Sequence, residues 1–371
     1  MSSQAIKEYG LSLGFTDVGI TSIGSLAGYL EEVYARGDKY SVFHKILSEP
    51  VEQTMPWAKS VVVTVLDYFT ADAPEALREM IGKLYLARCY TPPPGTLAHA
   101  RLQLMQDFLA GQGYAVKIGG FNIPARWVAA RAGVANIGRN TFAYADGAGS
   151  YIVIDTFVVD AELDYDTPTT ANRCPPNCTA CIDACPTKAL YAPFKLDPAR
   201  CIGFSNWMRR DGMPTLSAHI PEELRAGIGC KIHGCDICQD ACPRNQKKLR
   251  QPKPADRYLA QLAPGLTLPA ILNMSDETYT KRIKPIMYNY IRDKRYFMRN
   301  AAVAMGNAHN AGYVPALETA LQNPDALVRE YAAWALGQIG GPQAEAALAA
   351  HLPGEACDDV KQAITHALAH V

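Results

Sequence analysis

Residues 174–186 read CPPNCTACIDACP, and residues 230–243 read CKIHGCDICQDACP. Each stretch contains the run CxxCxxxCP, in which the last cysteine precedes a proline. Of the 11 cysteines in the chain, nine lie between Cys174 and Cys242. Clustered thiols outside a small secreted protein more often bind metal than form disulfides. The two stretches therefore predict metal centres.

The spacing of these cysteines distinguishes two kinds of metal centre. A structural zinc ion takes four ligands, often from two CxxC pairs. The run CxxCxxxCP is instead the bacterial ferredoxin spacing for 4Fe–4S clusters, in which the cysteine before proline ligates the other cluster. Thiolates suit iron because soft sulfur ligands hold it in a tetrahedral environment. The sequence predicts two 4Fe–4S clusters, and structural zinc is the alternative.

The crossover of the last cysteine in each run predicts the ligands. They are Cys174, Cys178, Cys181 and Cys242 for the first cluster, and Cys185, Cys235 and Cys238 for the second. The remaining position goes to Cys201 or Cys230, because nine cysteines compete for eight places. The stretch CPPNC has three residues between its cysteines instead of two, and a Pro-rich turn can absorb the extra residue.

The composition is that of a globular chain with more than one domain. Its 371 residues suggest two or three domains, and 49% hydrophobic residues are enough for packed cores. The net charge is zero, so nucleic-acid binding would need a local patch. MSSQAIKEYGLSLGF at the N-terminus does not read as a signal peptide, and no apolar run approaches the ~20 residues that span a bilayer. We therefore expect a soluble protein of the cytoplasm.

Residues 1–170 are predicted to form an α/β domain. Residues 4–14, 96–114 and 125–131 have the pattern of helices, and VVVTVLDYF from Val61 and YIVIDTFVVD from Tyr151 that of strands. FTDVGIT predicts a shorter strand. RAGVANIGRNTFAYADGAGSY lies before the last strand, and its glycines allow a backbone to approach a bulky ligand closely.

This glycine-rich stretch resembles the loop that holds cobalamin in epoxyqueuosine reductases, where a similar string precedes a double-cluster module. RCIGF and EELRAGIGCKIHGCDICQDACPRN, further along, are also similar to that family. So are LGFTDVGIT near the N-terminus and MRNAAVAMGN and LVREYAAWALGQIG near the C-terminus, so the resemblance covers essentially the whole chain. It implies the cobalamin-plus-two-cluster core that the family shares with reductive dehalogenases, in which low-potential electrons pass through the clusters to cobalt.

The resemblance also implies where the cofactor lies. The residues expected at the corrin are Gly138, Arg139, Asn140, Gly149 and Ser150, with Gly203 and Gly234 on the cluster side. It favours Cys201 as the last cluster ligand, because RCIGF matches the family at its ligand. The chain contains no DxHxxG string, so we expect base-off cobalamin without a histidine ligand from the protein.

Two segments that are expected to line the substrate differ from those of the family. Epoxyqueuosine reductases carry an acidic residue, taken as the proton donor, just ahead of the helix that enters the cobalamin loop. The corresponding KIGGFNIPARW is two residues shorter and has no acid; Asn122 stands nearest, and an amide cannot deliver a proton. YLARCYTPPPGTLAH replaces a second family segment, which makes Tyr85, Tyr90 and His99 candidates to line the substrate and supply the proton.

Residues 251–371 are predicted to be helical, after a ferredoxin-like module over 171–250. RNAAVAMGNA from Arg299 and REYAAWALGQ from Arg329 repeat after about thirty positions, and a second helical run follows each. This period is typical of HEAT-like repeats, which stack into a small solenoid. The fold class is therefore α+β, with a cobalamin-binding α/β domain, a double-cluster module and a helical repeat domain.

Residues 280–300 form a basic segment, TKRIKPIMYNYIRDKRYFMRN. It contains seven Lys or Arg residues and one acid, Asp293, with Tyr288, Tyr290, Tyr296 and Phe297 interleaved. Cations neutralise phosphates and aromatic rings stack on unpaired bases, so the segment predicts an RNA surface that KKLRQPK from Lys247 would extend. The alternative is a solvated helix face with its aromatic rings in the core.

Three functions of different classes fit these observations. The first is reduction of epoxyqueuosine in a tRNA anticodon stem-loop by a monomer that receives electrons from a flavodoxin or ferredoxin. The second is a reductase with the same core that acts on a small molecule, such as a carbon–halogen compound. The third is a non-catalytic electron carrier that reduces the corrinoid of another protein. The full-length resemblance favours the first, and the missing acid favours the second.

Overall fold

The structure is a computed structural model, and it describes residues 2–46, 51–120, 123–169, 171–213, 215–287 and 292–370. Its strands are β1 (Asp17–Ser22), β2 (Ser60–Asp67), β3 (Val116–Ile118), β4 (Asn136–Ile137), β5 (Ala143–Tyr144), β6 (Ile152–Val159), β7 (Leu190–Ala192) and β8 (Lys195–Leu196). In the parts of the chain that the structure describes, no helix combines the length and the apolar character needed to cross a membrane.

The α-helices are short in the first two thirds of the chain and longer towards its C-terminus. They are α1 (Ser3–Ser12), α2 (Tyr29–Ala35), α3 (Ser41–Ile46), α4 (Val51–Thr54), α5 (Glu75–Met80), α6 (Lys83–Leu86), α7 (Leu97–Gly111), α8 (Ala125–Arg131), α9 (Ala180–Asp183), α10 (Ile202–Met208), α11 (Glu222–Ile228), α12 (Ile237–Asp240), α13 (Gln246–Arg250), α14 (Arg257–Leu262), α15 (Leu268–Leu272), α16 (Asp276–Thr278), α17 (Lys284–Met287), α18 (Lys294–Asn307), α19 (Val314–Ala320), α20 (Ala326–Ile339), α21 (Pro342–His351) and α22 (Asp358–Leu368).

The predicted N-terminal elements are confirmed to within a few residues. The helices expected over residues 4–14, 96–114 and 125–131 are α1, α7 and α8, and the three expected strands are β1, β2 and β6. α7 begins where the Thr96 side chain accepts a hydrogen bond from the His99 backbone N–H, the usual way to satisfy a free donor at a helix start.

The chain divides into two compact units, and the first comprises Met1–Thr70, Ala87–Ala199 and Ile237–Lys253. Its centre is a sheet of strand order β1-β2-β6-β3, in which all neighbours are antiparallel. One face packs on α1 and α7 through side chains such as Ile6 and Met105, and the other packs on α8 through Val128. The β-branched residues of β2 suit a strand buried on both faces.

The second unit comprises Ala71–Leu86, Arg200–Asp236 and Pro254–Val371. Its largest helices, α18, α20 and α22, share one apolar core. They approach closely because small residues face each other: a Cβ added at Gly337 would lie 2.7 Å from the Ala367 Cβ. The repeated helical pairs that the sequence predicts are α18 with α19 and α20 with α21.

Arg299 ties the first repeat helix to an earlier segment of the same unit. It is fully buried, its hydrogen-bond partners in the described part of the chain include no carboxylate, and burial lowers its pKa to about 10. Its guanidinium donates to the backbone carbonyls of Arg209, Ala218 and Asn206. Arg299, in the stretch MRNAAVAMGN, therefore stabilises the packing of this unit.

The three domains expected at 1–170, 171–250 and 251–371 stay a prediction. The two compact units follow contacts instead of chain order, so the stretch from Cys174 to Pro186 belongs to the first unit and Cys201 and Cys235 belong to the second. A division by contacts need not coincide with a division by sequence motif.

Candidate functional site

Four cysteines predicted to bind the first cluster lie near one another in the first unit. Burial raises the pKa of the Cys181 thiol to about 11, and the negative charges that Cys242, Cys178 and Cys174 would carry add to this effect. Cys181 and Cys242 are buried, whereas Cys174 and Cys178 are partly exposed. Thiols that repel one another as thiolates are suited to a cationic iron cluster, because bound metal keeps coordinating thiols deprotonated.

The described residues contain no group of three His, Cys, Asp or Glu side chains arranged to bind a single metal ion. In a 4Fe–4S cluster each of the four thiolates binds a different iron.

The turn between β4 and β5 is bonded to the polypeptide that carries these cysteines. The backbone N–H of Arg139 donates to the Cys174 Sγ at 3.4 Å, and its guanidinium donates to the Cys178 carbonyl at 2.6 Å. The Asn140 side chain donates to the Cys238 carbonyl at 3.3 Å. Two residues that the sequence placed at the corrin therefore also hold the cluster-binding segments.

Tyr144 in β5 brings a hydroxyl to the first cluster site. This hydroxyl accepts a hydrogen bond from the Asn140 side chain at 2.9 Å and is hydrogen-bonded to Cys242. Burial is the main reason why its pKa is raised, and Cys242 raises it further. Gly138 is needed beside this ring, because a Cβ there would lie 2.5 Å from Tyr144 Cε2.

Gly149 and Ser150 form a second junction with the cysteine-bearing segment. The Asn245 side-chain oxygen accepts from the Ser150 N–H at 3.0 Å, and its amide donates to the Ser150 hydroxyl at 2.8 Å. That hydroxyl also bonds the Gln239 side chain at 2.9 Å. Gly149 has φ +64°, and a Cβ there would lie 2.3 Å from Asn245 Oδ1. The loop 138–150 is thus held at both ends by residues next to cluster cysteines.

The cysteines assigned to the second cluster lie in both compact units: Cys185 and Cys238 in the first, Cys201 and Cys235 in the second. Within the second unit, Cys201 precedes α10, and Gly203 in that helix lies against the Cys235 backbone. Cys230 is exposed, and its thiol donates to the Glu79 carbonyl.

Gly234, the other glycine expected on the cluster side, has φ +75° and packs against the Tyr85 ring. A Cβ at this position would lie 2.6 Å from Tyr85 Cε2. Tyr85 in turn lies 4.0 Å from the fully buried His233 ring, measured between ring centroids.

The candidates for the substrate side have different surroundings. Tyr90 is half-buried next to the buried Cys89, and His99 is half-buried in the first turn of α7. Asn122 lies outside the described residues. The structure therefore places the first two in one unit without assigning either to a substrate.

The basic segment is less available than its composition suggests. Tyr296 and Phe297 are buried, so for these two rings the alternative of core packing is correct, while Tyr288 and Tyr290 lie outside the described residues. Arg295 pairs with Asp293 and Asp325.

In the stretch from Lys247, Lys247 and Arg250 are exposed, whereas Lys248 and Lys253 have partners within the protein, so its part in an RNA surface stays a prediction. Lys248 forms a largely buried ion pair with Asp67, and Lys253 lies 4.1 Å from the centre of the Phe69 ring. Within the basic segment, the exposed cations include Lys281, Arg282 and Lys284.

Sequence reasoning missed several polar residues that shape the site. Tyr144, Gln239 and Asn245 connect the glycine-rich loop to the cysteine segments, although each stands inside a motif that was recognised for another residue.

Comparison with known families agrees with this arrangement. Residues 173–245 match the 4Fe–4S double cluster binding domain, and residues 289–369 match the HEAT repeats. These matches confirm that the chain contains a double-cluster module and HEAT-like repeats, and they confirm the α+β fold class.

Relatives of known activity match along nearly the whole chain. An epoxyqueuosine reductase of Xanthomonas campestris is 32% identical, covering 90% of this chain and 95% of that protein. A structure of the Bacillus subtilis enzyme, with its catalytic aspartate loop swung out of the active site, is 26% identical, covers 99% of this chain and 98% of that one, and has a TM-score of 0.82.

A crystal structure of epoxyqueuosine reductase with an epoxyqueuosine-modified tRNA-Tyr stem loop is also similar. It is 26% identical, covers 99% of this chain and 97% of that one, and has a TM-score of 0.79. Together with the cysteine site and the loop bonded to it, these matches show that the chain belongs to the epoxyqueuosine reductase family, as an iron–sulfur oxidoreductase whose cofactors are two 4Fe–4S clusters and cobalamin.

Proposed function

We propose that this chain reduces the epoxide of epoxyqueuosine in a tRNA anticodon stem-loop, which yields queuosine. The observation that carries the proposal is the match to an epoxyqueuosine reductase over 90% of the chain. The glycine-rich loop bonded to the cysteine segments supports it, because electron transfer needs the cofactor and the first cluster to be near each other.

The residues of the loop 138–150 would hold cobalamin mainly through their backbone. The side chains of Arg139, Asn140 and Ser150 already bond Cys178, Cys238 and Gln239. The backbone N–H groups of Arg139 and Ser150 are bonded as well, so the amide side chains of the corrin would meet other backbone N–H and C=O groups of the loop. When bound, cobalamin supplies a strongly reducing cobalt centre.

The proposal includes base-off cobalamin without a histidine ligand from the protein. The motivation is that the chain has no DxHxxG string. Electron paramagnetic resonance of protein loaded with paramagnetic cob(II)alamin should show no nitrogen superhyperfine coupling from an axial base. Clear coupling to one axial nitrogen contradicts this part of the proposal.

We assign the last ligand of the second cluster to Cys201. The proximity of its helix to Cys235 supports this assignment, whereas the exposed Cys230 thiol donates to a backbone carbonyl. Cys201→Ala should lose the iron of one cluster, and Cys230→Ala should retain both. Iron and sulfide analysis of the anaerobically purified variants measures how many clusters each retains. Loss of one cluster in Cys230→Ala, with both retained in Cys201→Ala, identifies Cys230 as the ligand.

The proposed setting is a cytoplasmic monomer that binds tRNA and receives electrons from a flavodoxin or a ferredoxin. The exposed cations of residues 281–284 support a contact with RNA phosphates, as in the relative whose structure contains a tRNA stem loop. The electrons must come one at a time at low potential, since 4Fe–4S clusters carry single electrons.

Turnover tests the proposed function directly. Anaerobically purified protein with both clusters and cobalamin is incubated with a strong reductant and an epoxyqueuosine-containing tRNA stem-loop, and nucleosides are analysed by mass spectrometry. We expect conversion to queuosine, and none with Cys242→Ala, which lacks a first-cluster ligand. No conversion by the fully loaded wild-type protein rejects the proposal.

One observation favours a second candidate, a reductase of a small molecule with the same core. KIGGFNIPARW carries no acid where the family carries its proton donor. If the loaded protein fails with the tRNA substrate but consumes reductant when a halogenated aromatic compound is added, this second function replaces the first.

A further inference from the structure

The guanidinium of Arg139 contains a buried hydrogen-bond donor without an acceptor. Its Nη1 donates to the Cys178 carbonyl at 2.6 Å, and the backbone N–H of the same residue donates to the Cys174 Sγ at 3.4 Å. Its Nε is buried as well, but it has no hydrogen-bond partner among the described residues. Because arginine keeps its proton in proteins, burying this N–H without an acceptor costs free energy. The Nε–H therefore points to an acceptor that the described polypeptide does not supply.

Arg244 has a second donor of this kind. It stands two positions after Cys242, and its Cζ lies 4.0 Å from the centre of the Tyr144 ring. The hydroxyl of that ring is hydrogen-bonded to Cys242, so the stacked guanidinium is held near the first cluster site. Its Nη1 is buried and, within the described parts of the chain, has no hydrogen-bond partner. Two distant parts of the sequence thus bring unsatisfied guanidinium donors to the same group of cysteines.

The positive charges of both arginines also lack a counterion. In the part of the chain that the structure describes, neither guanidinium forms an ion pair with an Asp or Glu side chain. Arg173, which directly precedes Cys174, is different, since it is exposed and pairs with Asp146 at 2.7 Å. A partly buried cation without a counterion is costly. The partner expected beside Arg139 and Arg244 is therefore an anion with hydrogen-bond acceptors.

The first cluster has the properties of this anion. A 4Fe–4S cluster held by four cysteine thiolates carries a net negative charge, and its sulfur atoms accept hydrogen bonds that help to set its potential. Arg139 contacts Cys174 and Cys178, and Arg244 stacks on the ring whose hydroxyl bonds Cys242. An RNA phosphate would approach from solvent, from which both donor atoms are buried. The two donors therefore fit the cluster better than a phosphate.

We propose that Arg139 and Arg244 donate hydrogen bonds to the first 4Fe–4S cluster through Nε and Nη1 and raise its reduction potential. Reduction adds one electron from the low-potential donor, and no bond forms or breaks. The cluster becomes more negative by one charge, so its attraction to two fixed cations grows, most strongly where water is excluded. An electron is thereby held at the cluster whose binding segments are bonded to the glycine-rich loop, the proposed cobalamin site.

A redox titration followed by electron paramagnetic resonance tests this proposal in protein loaded with both clusters and cobalamin. Arg139→Gln and Arg244→Gln each remove one cation. Each should lower the equilibrium constant for reduction of the first cluster by about tenfold, which is about 59 mV for a one-electron couple. Arg244→Lys keeps the charge and should stay within about threefold of the wild type. Cys238→Ala removes a ligand of the second cluster, so the titration step that it retains belongs to the first.

Arg173→Gln is the matched control. It removes the same charge one residue from Cys174, but water and Asp146 already screen this side chain, so the potential should stay at the wild-type value. Iron and sulfide analysis shows which variants hold both clusters. The proposal is rejected if Arg139→Gln and Arg244→Gln both titrate like the wild type. It is also rejected if Arg173→Gln shifts the potential as far as they do, because the effect then does not need a buried donor.

A measurement without glutamine variants decides the matter if those variants lose their clusters. Protein made with arginine that carries nitrogen-15 in its guanidinium is reduced, and pulsed electron paramagnetic resonance detects nitrogen next to the cluster. We expect nitrogen-15 coupling in the wild type and weaker coupling in Arg139→Lys and Arg244→Lys. Absence of this coupling in the reduced wild type overturns the proposal.

Neither test uses a tRNA substrate, so the outcomes are separate from those of the proposed function. Rejection of the two hydrogen bonds leaves epoxyqueuosine reduction standing. A loaded protein that does not turn over epoxyqueuosine but shows both the shifted potentials and the nitrogen-15 coupling rejects only the proposed function.

Discussion

At the scale of single residues, Asp155 links stability to pH in the opposite direction from most carboxyl groups. Its pKa is raised by burial to about 7, whereas an aspartate in an unfolded chain titrates near 3.9. The folded state holds the proton more tightly, so the stabilising contribution is complete below the unfolded pKa and is lost as the pH rises through about 7.

Asp155→Asn should therefore stabilise the protein at high pH. The free energy of unfolding of Asp155→Asn minus that of the wild type should be about 2–4 kcal/mol larger at pH 8 than at pH 4, since each pKa unit corresponds to about 1.4 kcal/mol. Denaturant unfolding at the two pH values measures the difference, with Asp160→Asn as the matched control. An equal effect of Asp155→Asn at both pH values shows that its carboxyl is not desolvated.

Tyr144 should set the potential of the first cluster. Its hydroxyl bonds Cys242, and a hydrogen bond to a ligating sulfur stabilises the more negative, reduced cluster. Tyr144→Phe should lower the reduction potential, by about 40 mV if the bond strengthens by about 1 kcal/mol on reduction.

A redox titration followed by electron paramagnetic resonance measures this potential. Tyr114→Phe is a control outside the site, because Tyr114 packs with α7 residues in a different core. An unchanged potential in Tyr144→Phe means that the hydroxyl does not bond the sulfur once the cluster is in place.

At the scale of elements, the junction between the glycine-rich loop and the segment after Cys242 depends on Gly149. An alanine there would have φ +64° and a Cβ 2.3 Å from Asn245 Oδ1. Gly147 is the matched control, since it has φ +77° but a Cβ there would meet nothing within 4 Å.

Gly149→Ala and Gly147→Ala should each lower the free energy of unfolding by about 1–2 kcal/mol, because alanine is disfavoured in a left-handed backbone conformation. Gly149→Ala should lose a further 1–3 kcal/mol, because the buried hydrogen bonds of Asn245 are disturbed as well. Thermal unfolding of the two variants measures the difference, and cobalamin binding should weaken only in Gly149→Ala. Equal destabilisation shows that the Asn245 junction can move without cost.

At the scale of the whole molecule, binding of tRNA must come from a local patch, since the net charge is zero. Lys281 is exposed and pairs with an equally exposed Glu277, a contact that phosphate can replace at little cost. Replacing Lys281, Arg282 and Lys284 by alanine together should flatten the dependence of log affinity on log salt by about two to three units.

Filter binding of tRNA at several salt concentrations measures this slope. Clusters and cobalamin should be unaffected in the triple variant, and Lys361→Ala, on the last helix, should keep the wild-type slope. Equal slopes in the triple variant and the wild type place the RNA contact elsewhere on the chain.

The sequence by itself determined the features that depend on close neighbours along the chain. The spacing of Cys174 to Cys185 and of Cys235 to Cys242 indicated two clusters, because the ligands of a cluster come from short runs. The β-branched run of β2 and the repeat from Arg299 to Arg329 likewise predicted a buried strand and stacked helices, since periodicity reports which face of an element is covered.

Only the tertiary structure decided what the polar side chains do, because their partners lie far away in the sequence. Ser150 and Asn245 bond across 95 positions, Lys248 is paired with Asp67, and Tyr296 is buried where the sequence suggested a stacking ring. Asp155 shows the reason most clearly. Its pKa depends on the solvent that Thr64, Cys89 and two helices displace, and no pattern within YIVIDTFVVD specifies which residues those will be.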